Sequence, residues 1–199
     1  MKKVAILVLL VFVAAPVLAQ EETLLKGKIE SGGFGGPVVK FTEIKDEFGL
    51  FVGGRGGWII NHTFVIGGGG YGLATQNIEA DFVGSDGRRP HLQMGYGGLE
   101  LEYIHNSNKL VHFSVQALIG AGGATYGNSD SNINDWNNFE DDAFFIAEPG
   151  VNVILNVATV FRIGFGAGYR FVSGLDLKGL SDEDLIGPSA VLTFKFGRF

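Results

Sequence analysis

The chain has 199 residues, 46% of them hydrophobic, with 32 glycines, 17 phenylalanines, two methionines, no cysteine and a net charge of −6. The absence of thiols excludes a disulfide scaffold, thiol catalysis and cysteine-ligated zinc, and the acidic balance argues against nucleic acid as a partner. Abundant Gly and aromatic residues suit a β-protein with unusual demands for small side chains.

The chain opens with "MKKVAILVLLVFVAAPVLAQ". Lys2 and Lys3 form a positive start, Val4 to Ala15 an apolar stretch, and Val17-Leu18-Ala19 a small-residue cleavage site. This predicts a cleaved secretion signal over residues 1–19 and one mature domain over 20–199. The apolar run is shorter than the roughly 20 residues of a membrane helix, and no second run of that length follows. No Cys follows the apolar stretch, so a lipid-anchored lipoprotein is excluded.

Alternation of apolar and polar residues then predicts eight strands. They cover about Gly36–Ile44, Phe48–Ile60, Thr63–Thr75, Leu92–Ile104, Leu110–Gly122, Phe144–Val157, Val160–Val172 and Pro188–Phe199. Most are long enough to cross a bilayer at a tilt. Strands one and two meet at "KD", two and three at "NH", four and five at "NSNK", six and seven at "NVAT". The other three connections are long. Short and long connections therefore gather at opposite ends, with both termini on the short-turn side, as in outer-membrane barrels with short periplasmic turns and long extracellular loops.

Each strand has two chemically different faces. In "VFRIGFGAGYRFV" the apolar set is Phe161, Ile163, Phe165, Ala167, Tyr169 and Phe171, and the other face carries Arg162, three glycines and Arg170. In a soluble sandwich or secreted barrel the aromatics would form the core; in a membrane barrel they meet lipid and the arginines point inward. The polar faces are rich in Gly, which weakens a solvated strand but fits a narrow lumen. Aromatics also recur near strand ends: Trp58, Tyr103, Phe113, Phe161 and Phe196 at one end, Phe48, Tyr71, Phe145, Tyr169 and Phe171 at the other, as two interfacial girdles would. The fold expected is therefore all-β, a closed eight-stranded antiparallel up-and-down transmembrane barrel.

Inward arginines need counter-charges, because a lone buried charge is expensive. The expected interior network is Lys40, Arg55, Glu100, Glu102, Glu148, Arg162, Arg170 and Lys195, in two layers. Glu148 is paired with Arg170 near the long-loop end. Glu100 and Glu102 lie level with Arg55, Arg162 and Lys195 near the other. Such a filled lumen predicts a structural or surface-interaction role rather than an open pore.

The last residues, "AVLTFKFGRF", end on Phe199. A strand ending the chain on Phe resembles the C-terminal signal of bacterial outer-membrane barrels. With the signal peptide, strand count and loop rhythm, the mature chain resembles the small eight-stranded outer-membrane barrels of the OmpA and OmpX type. So do the stretches "FVGGRGGWIINHTFVIGGGGYGL" and "GLSDEDLIGPSAVLTFKFGRF". The resemblance implies residence in a bacterial outer membrane with both termini periplasmic, contact with outer-membrane lipid, Phe199 as a signal to the barrel-assembly machinery, a monomer, and an extracellular partner that the residues do not name. Phe199 departs from the usual pattern, since Ala190, Leu192, Phe194 and Phe196 have the opposite parity; a kink at Gly197 or a frayed last pair is expected to reconcile them.

Candidate chemistry is sparse. "GGRGG" and "GGGG" lead into no helix and lack the Lys-Ser/Thr pair of a phosphate loop. In "GNSDSNINDWNNFEDD", Asp130, Asn132 and Asn134 have the first spacings of a calcium loop with Asp141 near its end, but the required Gly and Glu are missing; a solvated loop is expected and no metal or cofactor. "GLSDEDLIGP" predicts a helical turn with Ser181 as N-cap. Arg88 and Arg89 suit anionic lipopolysaccharide or solvent. His62, His91, His105 and His112 form no convergent Ser–His–carboxylate set, so no enzyme is expected; a barrel that binds or modifies a lipid or small ligand is the alternative.

Overall fold

Closing a sheet of period-two strands on itself pairs every strand edge and separates an inner face from an outer one. The computed structural model describes residues 30–84, 87–127 and 141–199. The eight strands are β1 (Ser31–Ile44), β2 (Glu47–Ile60), β3 (Phe64–Leu73), β4 (His91–His105), β5 (Val111–Gly127), β6 (Asp141–Ala158), β7 (Phe161–Ser173) and β8 (Gly187–Arg198), with a helical turn α1 (Asp182–Leu185) before the last. Each strand pairs antiparallel with the next, and β1 pairs with β8, so the barrel closes in simple up-and-down order. The signal segment 1–19 and the calcium-like residues Asp130, Asn132 and Asn134 lie outside the described residues; Asp141 is the exposed first residue of β6.

Several strands run past their predicted ends. β1 begins at Ser31, β5 continues to Gly127, and β6 starts at Asp141. Glycine and acidic residues hide these extensions from a pattern search, because neither carries the alternation. His91, expected in the loop, opens β4 instead. The β1–β2 turn is tight, with Lys45 at φ 51° and Asp46 at φ 61°, the two left-handed positions that a type I′ hairpin requires.

The inner-face glycines follow from crowding. A Cβ on Gly36 would run into the carbonyl of Phe194, on Gly67 into that of Gly56, and on Gly98 into that of Ile119. Neighbouring strands thus approach one another too closely on the concave side for any side chain at these positions.

The outer face carries a broad apolar belt. Phe113 is 60% exposed, Phe165 58% and Val151 57%, while Arg170, Lys195 and Glu102 are buried. A contiguous exposed apolar belt of this extent is foreign to monomers in water, and the charged interior inverts the usual order of a soluble core.

Candidate functional site

The lumen is built in four tiers, three from inward-facing strand residues and the top one largely from the outer connections. At the short-turn end Phe34, Ile59, Val65 and Ile104 form an apolar floor, with Phe199 packed against it. Phe199 keeps the inner-face parity of Lys195 and Gly197. Gly197 remains paired with Phe34, so the kink or frayed pair expected there does not occur. The Phe199 ring lies 6.2 Å from that of Phe34.

Above the floor sits the first charged tier. Lys195 Nζ donates to both carboxylate oxygens of Glu102, at 2.7 and 2.8 Å. Arg55 Nη2 donates to Glu102 at 3.1 Å and Nη1 donates to the Gln116 side-chain carbonyl. Arg55 Nε lies 2.6 Å from Glu100 Oε2, yet its N–H is not aimed along that line, so the contact is Coulombic rather than a hydrogen bond. Asn152 Nδ2 donates to Ser114 Oγ and to Gln116. Arg162 forms no ion pair among the described residues; its guanidinium stacks over the Phe199 ring at 4.0 Å. Arg162 does sit at the expected level, paired in register with Lys195, but its partner is corrected: the guanidinium turns to the terminal ring rather than to Glu100 or Glu102, a cation–π contact.

The second charged tier joins Lys40 to Glu148 at 2.8 Å. Tyr96 donates to the same Glu148 oxygen at 2.9 Å, and Ser189 donates to the other at 3.2 Å. Lys40 Nζ also lies 3.5 Å from the centre of the Tyr71 ring, and the Tyr71 hydroxyl donates to Glu100, linking the two tiers. Tyr71 is consequently a lumen residue and not part of the outer girdle.

Arg170 is not the partner of Glu148. The strands bring them level, since Ala147 pairs with Phe171 and Gly150 with Gly168. Arg170 nevertheless extends towards the loops, where Nε donates to Leu185 O at 2.6 Å and Nη2 donates to Thr42 and to Glu43 O, both at 3.4 Å. Two backbone carbonyls and the Thr42 hydroxyl accept from it, and Lys40 from across the lumen neutralises Glu148. Lys40 belongs to the expected network, but the pairing expected for Glu148 named Arg170 in its place.

The top tier is an apolar cap. Ile78 and Ala80 from the β3–β4 connection and Leu175, Leu177, Leu180 and Leu185 from the β7–β8 connection pack on Phe51, Tyr126, Phe144 and Ile146. The helical turn falls where Ser181 and the acidic run imply it: the Asp184 carboxylate accepts from both the N–H and the hydroxyl of Ser181 at 2.8 Å. Asp182 accepts from the N–H groups of Gly174 and Leu175. Lys45 ties the outer segments together, donating to Asp81 at 3.0 Å and to Gly179 O at 3.2 Å. Leu185→Ala is expected to cost about 2–5 kcal/mol, the range for truncating a buried leucine, with cleavage of the folded barrel by added protease concentrated in residues 174–186. Unchanged protease resistance there would mean that the cap does not depend on this side chain.

Outside, Trp58, Tyr103, Phe113, Phe161 and Phe196 ring the short-turn end, and Tyr169 and Phe171 the long-loop end. Phe161 stacks on Phe196 at 4.7 Å, and Tyr169 lies 4.9 Å from Phe171. The histidines stay apart in role. His62 contacts Glu30 at 2.7 Å, His105 contacts Asn106, and His112 is buried with Nδ1 on Lys109 O.

No protein-family model matches the chain, and no curated protein matches it. Among solved structures it is similar to Neisserial surface protein A, with 12% identity over 87% of this chain and all of that one, at a TM-score of 0.53. It is also similar to the N-terminal barrel domain of Pseudomonas aeruginosa OprF, with 14% identity over 84% of this chain and 96% of that one, at a TM-score of 0.50. At that identity the likeness is one of fold: the chain has the closed eight-stranded architecture of the small outer-membrane barrels.

Proposed function

We propose that the chain resides in a bacterial outer membrane as a closed, side-chain-filled barrel, with both termini periplasmic, and serves a structural or surface-interaction role through its outer segments without an enzymatic activity. One observation carries this reading: the interior holds ion-paired charge between an apolar floor and an apolar cap, while the exterior is an apolar belt. Turning Arg162 and Arg170 to lipid instead would cost each about 2–4 kcal/mol near mid-depth, less near the interfaces. An eight-stranded lumen is just wide enough for side chains, and here Arg55, Glu100, Glu102 and Lys195 occupy its cross-section. Phe199 acts in this reading both as floor and as the residue met by the assembly machinery, and the barrel works as a monomer.

The test is planar-bilayer recording of the refolded protein. No stable conductance is expected. A large, steady open channel would contradict the reading.

A further inference from the structure

A cleft of about 420 Å³ opens on the outer wall near the long-loop end. It arises because β3 stops at Leu73, its last pair being Gly72 with Gly95, while β4 and β5 run on together to His91 and Gly127. The polar lining is Thr75, Gln76, His91, Gln93 and Thr125, with no Lys, Arg, Asp or Glu. His91 Nδ1 is buried without a hydrogen-bond partner. The amides of Gln76 and Gln93 make no hydrogen bond among the described residues. Such groups offer donors and acceptors together, which suits hydroxyls and amides better than a phosphate.

The wall below the cleft is bare. Crowding accounts for glycines such as Gly36 and Gly67 on the inner face, and for Gly97 in this wall, where a Cβ would lie 2.8 Å from Gly69 O, but not for its neighbours. A Cβ on Gly72 would meet nothing within 4 Å, and on Gly70, Gly95 or Gly123 its nearest atom would lie at 4.0, 3.5 and 3.6 Å, ordinary contact. None of these residues has a positive φ. Larger side chains would fit and would strengthen the strands. Register sets the glycines side by side: Gly54 opposite Gly70, Gly72 opposite Gly95, and Gly95 opposite Gly123. Gly95 and Gly123 also line the cleft, so trough and cleft are continuous.

The size of the trough selects its occupant. Four strands at about 4.8 Å spacing and some four residues of height give roughly 200–250 Å². A stable protein partner needs about 800 Å² on each side, so a second copy of the chain is too large a claim for this surface. A lipid chain is slender enough to lie in it.

We propose that cleft and trough bind one acylated sugar, with its hydroxyl or amide head on His91, Gln93 and Gln76 and an acyl chain against Gly70, Gly72 and Gly95. The proposal rests on the membrane reading above. Its test places the barrel in phosphatidylcholine nanodiscs doped with either a diglucosyl diacylglycerol or phosphatidylglycerol of the same chains. Native mass spectrometry then counts lipid retained after release into detergent. One glycolipid per barrel is expected, with retention reduced about tenfold or more in Gln93→Ala and in Gly72→Leu, both still showing heat-modifiable gel mobility. Equal retention of phosphatidylglycerol would overturn the sugar assignment. Retention unchanged in both variants, or an inserted barrel that keeps no lipid, would overturn the site alone. A barrel that never enters the nanodisc would overturn the membrane reading, and this inference with it.

Discussion

Glu102→Gln is expected to destabilise the barrel by about 3–5 kcal/mol, the cost of breaking a buried ion pair from one side. The Glu102 carboxylate is fully enclosed and neutralises two cations, Lys195 and Arg55. Removing its charge strands Lys195 in the filled lumen and leaves Arg55 with Glu100 alone. Replacing Glu102 and Lys195 together by methionine should cost much less, because the remaining Arg55 still faces Glu100. The same logic separates the outer pairings. A double-mutant cycle on Lys40 and Glu148, read by urea unfolding in lipid vesicles, should give a coupling above about 1 kcal/mol, and a cycle on Arg170 and Glu148 a much smaller one. Equal couplings would mean that Arg170, not Lys40, neutralises Glu148.

The second large effect is steric. Gly36→Val and Gly98→Val each drive a side chain into a backbone carbonyl of the neighbouring strand. Backbone cannot yield as a flexible side chain does, so a penalty at or above the upper end of the about 1–3 kcal/mol for overpacking is expected, with loss of the heat-modifiable folded band. Gly70→Val, on the same barrel but facing outward with no atom nearer its Cβ than 4.0 Å, should leave that band intact. The contrast is internal: one residue type, one strand geometry, opposite outcomes set by the face. Equal tolerance at all three positions would show that the strands are not packed as closely as the register requires.

How much of this was legible in the sequence depended on chemistry repeating along a strand. Period two in β7 and the loop rhythm sufficed for strand count, antiparallel order and the inward direction of Arg162 and Arg170. Glu100, Glu102, Arg55 and Lys195 could be placed at one level by counting from strand ends. Partner choice could not be read in that way. Lys40 reaches Glu148 across the lumen, between strands five apart in order, whereas counting favours neighbours such as Arg170. Tyr71 sits where an interfacial girdle residue would; its parity against Ile66 marks it as inward, but the run Gly67–Gly70 before it and Gly72 after it erase the alternation that would have shown this. The cap was hidden for another reason. Ile78, Leu175, Leu177 and Leu180 are spaced irregularly, so no periodicity announces that they fold over one lumen. Phe199 illustrates the reverse case: its parity was readable, and taken at face value it places the ring inside.

The account turns on which face of the wall meets lipid, and the absence of native cysteine allows this to be measured directly. Nitroxide labels on Leu101→Cys, Val153→Cys and Phe165→Cys, all outward and exposed, should collide freely with oxygen and hardly at all with a water-soluble nickel chelate when the barrel is in liposomes. A label on Ser114→Cys, inside the lumen, should be shielded from both. Strong relaxation of the three outward labels by the nickel chelate would place that face in water and contradict the account.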